Sequence, residues 1–463
     1  MNNSSIGANE EKWQKVADKV GGERGERLVK ALKDYYRRIY TPTLPEWFAR
    51  LYDKEIGGFY FSNSARDNDT LLYKDEVFGL LPDADSTWQT MITIVSMGLT
   101  DGKPYKEFIP KEIQAKIVAF LKGLQDTDGY FYHPQFGRKR NEEKVERRSR
   151  DTSRAVATIT AFGASPTYDT PNGVMGDGIL ADGTKIKKST KESKDNKENK
   201  NTNGSEAPKN AAAIAPFMQS KEAFLEHLAS KELKNHSYVV GSHFITQSSE
   251  MSYRDKVLRE SGADYTLYGL LTDWLTENQL ENGIWDEKIG YGGVSGIMKI
   301  CRLYSAARVM LPRAELTVRA AISVVTSPDM ATSVTDIFNP WVAAGVILSD
   351  LRSIGGEEGK KIAKRISDEL IDNAEELLAA TAEKLERFLR ADGAFSYPVT
   401  ASGGYNMGMP LGIRGIDEGD VNATHLAVCA VSNIFTAMDL SDVYVRPYGA
   451  EDGKRFLEII TSP

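Results

Sequence analysis

The sequence predicts an all-α chain, or nearly so, on three observations. Apolar residues recur at helical spacing along most of its length, one short turn pattern recurs between those stretches, and strand-like alternation is sparse, with 237–245 its best candidate.

The fullest copy of the turn is Gln279-Leu280-Glu281-Asn282-Gly283-Ile284-Trp285-Asp286. Altered copies stand at Asp53-Lys54-Glu55-Ile56-Gly57-Gly58-Phe59, at Gln125-Asp126-Thr127-Asp128-Gly129-Tyr130-Phe131 and at Arg390-Ala391-Asp392-Gly393-Ala394-Phe395. Each is a polar run, a glycine and then an aromatic. Asp or Asn before Gly suits a positive φ, so the chain reverses and the aromatic folds back over neighbouring helix ends.

Turns of the form Gln-x-x-Asp-Gly-x-Trp/Phe between paired helices resemble the repeats of the α/α-toroid superfamily. That superfamily contains terpenoid cyclases and protein prenyltransferases, and its barrel architecture recurs in many polysaccharide lyases and glycoside hydrolases. The resemblance covers four short turns and the helices around them. It implies an (α/α)6-type toroid of helical hairpins around a central cavity, in a single domain over 1–463. Measured from Gly58, Gly129, Gly283 and Gly393, the long second interval reduces to roughly two hairpins once a polar insertion of about 35 residues is set aside.

Taken in order, residues 10–40 are helical, with a break at Gly21-Gly22, and Pro42 and Pro45 interrupt before Trp47. Pro82-Asp83-Ala84-Asp85-Ser86-Thr87-Trp88 is a helix start, its carboxylates and hydroxyls placed to accept from first-turn amides. Residues 110–123 run into the Gln125 turn, and Arg150-Asp151-Thr152-Ser153 opens a helix through Ala161. The segment 182–210 carries lysines among Ser, Asn and Glu with hardly an apolar residue, the composition of a disordered insertion. Helical spacing resumes at 221–233, 255–278, 296–310, 314–325, 342–351, 357–390 and 422–438.

The 463 residues are 41% hydrophobic with a net charge of −7, and no run of about 18 apolar residues exists to span a membrane. The mild acidity gives no basic face for nucleic acid, and the opening residues lack a basic start followed by an apolar segment, so a cytoplasmic location is expected. Cys301 and Cys429 lie in apolar helical patterns and read as buried thiols. The histidines are not spaced as metal ligands, and phosphate-loop, dinucleotide and zinc-protease motifs are missing, so neither metal nor cofactor is expected.

Candidate site residues gather at helix starts. Asp83-Ala84-Asp85-Ser86-Thr87 resembles the Asp-x-Asp-Asp-Thr signature of class II terpenoid cyclases, which implies Asp85 as the proton donor; Ser86 replaces the family's next Asp. A second set is Arg150, Asp151 and Tyr168, and a third is His243. The last runs from Arg414 through Asp417 and Asp420 to Asn422 and His425, with His425 the general acid/base candidate and Asp420 or Asp417 its orienter. Aromatic and amide residues at the expected mouth, Trp88, Tyr291, Asn339 and Trp341 with Asp83, complete a surface suited to sugar rings and hydroxyls. Three readings follow: a carbohydrate-active lyase or glycoside hydrolase on a small-molecule or oligosaccharide substrate, a cyclase using Asp85, or a ligand-binding toroid without catalysis.

Overall fold

The computed structural model describes residues 6–7, 9–186 and 214–462, and there the chain is all-α apart from two small hairpins. Most of the expected lysine-rich insertion, 187–210, lies outside the described residues. Residues 182–186 within it form a turn that bridges Lys185 to Ile179.

Six helices are central to the packing: Ala84–Met97, Val145–Ala161, Ser237–Thr246, Tyr291–Ala307, Thr335–Ser353 and Val421–Ala437. Each packs against the next in sequence, and Val421–Ala437 packs back against Ala84–Met97, closing a cycle of neighbours. Further helices lie against members of this cycle. Lys111–Gly123 packs on Val145–Ala161, Leu267–Glu277 on Tyr291–Ala307, and Ala314–Ser323 on Thr335–Ser353.

The four turns share one geometry. The backbone N–H of Asp126, Leu280 and Arg390 donates to the carbonyl four residues on, at 2.8–3.0 Å, and Gly129, Gly283 and Gly393 take φ of +83° to +87°. In the first copy the positive φ belongs to Gly57, and the turn is one residue longer, Asp53 N–H reaching the Gly58 carbonyl; Gly58 occupies the place of Tyr130, so Gly57 and not Gly58 is the equivalent of Gly129. The aromatic N–H then latches onto a threonine of a central helix: Phe59 to Thr87, Phe131 to Thr152 and Phe395 to Thr424, each 3.0 Å to Oγ1. The third copy docks differently, with the Trp285 carbonyl accepting from Asn235 N–H ahead of Ser237.

The strand expected at 237–245 is the helix Ser237–Thr246. Val239, Val240 and Gly241 lower its intrinsic helix propensity, but Ser237, Val240, Gly241 and Phe244 bury one face at helical spacing, and tertiary packing overrides propensity. That packing is close. A Cβ on Gly296 would fall 1.7 Å from Ser237 Oγ, and one on Gly241 would fall 2.7 Å from Lys299 Cβ. Of the two hairpins that do form, Thr70–Tyr73 with Glu76–Gly79 turns through Lys74 and Asp75, both at positive φ, and Tyr405–Asn406 pairs with Met409–Pro410. The stretches 255–278 and 357–390 each divide: Ser248–Glu260 precedes Leu267–Glu277, and Gly356–Asp372 precedes Ala374–Glu386.

Gly296→Ala should force the Tyr291 and Ser237 helices apart and destabilise the fold by roughly 1–3 kcal/mol, read as a lower urea midpoint with an unchanged slope.

Candidate functional site: a buried carboxylate among cations

The starts of the central helices set the site. Asp83 is the N-cap of Ala84–Met97, accepting from the amides of Asp85 and Ser86 at 2.9 Å and from Ser86 Oγ at 2.6 Å. Its other partner is Arg147 at 3.0 Å, and Arg147 also holds Asp151 at 2.9 Å, all three fully buried. Burial pushes Asp151 up to about 7 despite Arg147. Asp83 and Asp151 therefore brace two helices together through Arg147, while Asp151 Oδ1 is buried without a hydrogen bond among the described residues.

Asp85 is the hub. Its Oδ2 accepts from Arg150 Nε at 2.9 Å, Asn406 Nδ2 at 3.0 Å and Gln89 Nε2 at 3.1 Å, while Oδ1 faces Arg154 Nε at 3.6 Å and accepts no hydrogen bond among the described residues. Burial alone would raise its pKa, but Arg150, Arg147 and Arg154 outweigh burial and hold the carboxyl well below the ordinary carboxylate range. Asp85 is held in this arrangement as the ionised partner of Arg150 and Arg154.

Around it, Gln89 also donates to Asn422 Oδ1 at 3.1 Å. Arg154 lies 3.3 Å from the centroid of the Trp88 ring, a cation–π contact, and Trp88 meets His425 edge-on at 6.3 Å. His425 Nδ1 pairs with Thr93 Oγ1 at 2.8 Å, with Cys429 beside it, and Nε2 makes no hydrogen bond to any described residue. Burial, then Arg154 and Arg150, push His425 down to about 3 against the pull of Asp85, so the ring is a neutral base at neutral pH. Asp420 does not orient it. Asp420 is the N-cap of Val421–Ala437, bonded to the amides of Ala423 and Tyr397 at 2.8 and 3.1 Å, and burial raises it to about 7.

The other expected residues scatter. Trp341 is wholly buried and donates Nε1 to Thr381 at 3.1 Å, so it is core. Tyr168 is gripped by its backbone by Gln125, at 2.9 Å each way, which makes it part of the second turn's packing. His243 belongs to a separate cluster with His227 at 2.9 Å and Glu146 at 3.0 Å. Tyr291 binds Lys384 and the Asp329 carbonyl, and Arg414 is exposed on the loop before Asp420. Asn339 is buried against Ser295 at 2.9 Å with its Oδ1 unpaired.

The sequence reading did not select Arg154, Lys299, Arg302, Gln89 or Tyr238. A signal existed: Lys299 and Arg302 share one face with Ser295 in an otherwise apolar helix, and Arg147, Arg150 and Arg154 do so in theirs. Among the described residues, no group of three or more His, Cys, Asp or Glu side chains is placed to hold a metal. No family model matches the chain, and no curated protein resembles it at a significant level.

Asp85→Asn leaves Arg150 and Arg154 without their counter-charge and should cost about 3–5 kcal/mol of unfolding free energy in denaturant titration. His425→Gln tests the neutral imidazole. Because the folded ring titrates near 3 and the free residue near 6.5, the unfolded chain takes the proton first as pH falls through that window, and wild type loses stability. The variant should show a shallower acid-side loss than wild type in urea midpoints measured across the same window.

Proposed function

We propose that the chain is an (α/α)6-type toroid of helical hairpins and a carbohydrate-active enzyme working by general acid/base chemistry in the toroid's central cavity. The closed cycle of six helices, with others packed against its members, supports the architecture. The observation that carries the activity is the convergence of charged, amide and aromatic groups from several of these helices upon Asp85: Arg150, Arg154, Gln89, Asn422, Trp88 and His425, joined by Asn406. Aromatic faces stack on sugar rings and planar amides bond hydroxyls, the mix that saccharide sites use.

Of the two reaction types, the state of the carboxylates favours a lyase. A hydrolase needs two carboxyl groups facing the substrate, one protonated and one ionised. Here Asp85 is tied to arginines, Asp151 to Arg147, and Asp420 to helix amides. A lyase needs instead a base and positive charge beside the substrate. The base takes the proton from the carbon next to a uronate carboxylate, the electron pair becomes a carbon–carbon double bond, the bond to the glycosidic oxygen breaks, and that oxygen takes up a proton. His425, whose Nε2 makes no hydrogen bond to a described residue, is the base in this reading, although the burial that keeps its ring neutral also weakens it as a base.

Incubation with uronate-containing and neutral polysaccharides tests it. A lyase generates new reducing ends together with ultraviolet absorbance from the double bond; a hydrolase generates the ends alone. His425→Gln should cut the rate at least about a hundredfold with little change in KM. Saccharide binding without any new ends would defeat the enzyme reading in favour of a ligand-binding toroid.

A further inference from the structure

Asn406 reaches Asp85 from outside the central helices. It stands within residues 402–416, whose two ends meet: Ser402 N–H donates to the Ile416 carbonyl at 2.8 Å, and Gly415 N–H donates to the Ser402 carbonyl at 3.0 Å. Between those ends the segment is bonded mostly to itself. Tyr405–Asn406 pairs with Met409–Pro410, and the amides of Leu411 and Gly412 both donate to the Gly404 carbonyl, at 2.8 and 3.1 Å. This is an Ω-loop, a surface segment closed on its own neck.

The loop has two faces. Tyr405, Gly408 and Arg414 are exposed, while Asn406, Met409, Pro410 and Leu411 are buried. Met409 and Leu411 rest on an apolar cluster of Phe61, Ala65, Leu71, Leu80 and Phe136, which among the described residues shares only half-buried Tyr60 with the main core. The loop's polar ties to other parts of the fold are Asn406 Nδ2 to Asp85 Oδ2 at 3.0 Å, Ile413 N–H to Ser64 Oγ at 3.0 Å and Gln135 Nε2 to the Pro410 carbonyl at 3.4 Å. At its tip a Cβ on Gly408 would lie 3.7 Å from Lys144 Nζ, so the loop spans to the start of the helix that carries Arg150 and Arg154.

A segment bonded within itself and seated on a small patch separates as a unit at lower cost than the fold unfolds. Of its three polar ties, the one to Asp85 is the strongest, because there alone the acceptor is ionised. We propose that 402–416 is a lid over Asp85, latched by Asn406 and opening about the Ser402–Ile416 neck. Lifting it withdraws one of the three donors on Asp85 Oδ2 and frees that position for a hydroxyl or amide N–H of a ligand. The closed loop is thus an autoinhibitory contact, its own amide holding the place. Such a lid governs access to Asp85 whether or not the ligand is a saccharide.

Thiol labelling of the full chain tests it. Met409→Cys puts a thiol on the buried side of the loop, and Cys301, buried in the Tyr291–Ala307 helix, reports unfolding of the core in the same molecule. With N-ethylmaleimide and mass analysis of peptides, the introduced thiol should react at least about a hundredfold faster than Cys301. Adding Asn406→Ala should speed the introduced thiol at least about tenfold and leave Cys301 unchanged. Tyr405→Ala, on the exposed side of the same hairpin, should alter neither rate. Leu411→Cys repeats the measurement with Met409 in place and should also label fast. If neither introduced thiol outpaces Cys301, the loop opens only with the whole fold and is no lid. Fast labelling in Met409→Cys alone would trace to the thinned seat and overturn the lid equally. A rate indifferent to Asn406→Ala, or a rise shared by Cys301, refutes the latch.

Discussion

The structure depends first on where its central helices begin. An aromatic N–H held by a threonine hydroxyl fixes that starting point three times, at Phe59–Thr87, Phe131–Thr152 and Phe395–Thr424. Once a helix is pinned there, its period of 3.6 decides which side chains meet the neighbouring helix. Asp85 and Gln89 then sit one turn apart, as do Arg150 and Arg154, and the two pairs face each other. A slip of one residue at the latch would rotate these groups by about 100° and dissolve the cluster.

Electrostatics supplies the second layer. Buried carboxylates here do three different jobs according to their partners. Asp83 and Asp420 close helix ends, Asp151 neutralises Arg147, and Asp85 gathers arginines and amides about itself. The residue types alone suggest four interchangeable acids. Their surroundings make Asp85 strongly ionised while burial lifts Asp151 and Asp420 toward neutrality.

Much of this was legible in the chain. The helices and the four glycine turns follow from apolar spacing and local turn chemistry, and Asp85 and Asn422 lie in first helical turns as expected, whereas Arg150, expected to open a helix, stands in the second turn of one that begins at Val145. What was hidden is direction. Trp341 and Trp88 look alike in sequence, yet one faces Thr381 in the core and the other lies beneath Arg154. Lys299 and Arg302 read as the polar side of an amphipathic helix because spacing reports that a face is polar without saying what it meets. Ser237–Thr246 was hidden for another reason: β-branched residues and a glycine weaken the local signal, and only contact with Gly296 reveals why small residues are needed.

A closed cycle of six packed helices has no terminal member, since each has a neighbour on both flanks. Loss of any one would leave two apolar faces without cover, so a lineage carrying this arrangement is not free to lengthen or shorten it one helix at a time. Added length then falls to the connections, as in the path from Ala161 to Ser237, where one step between adjacent helices of the cycle takes up a longer stretch of sequence than the helices it joins.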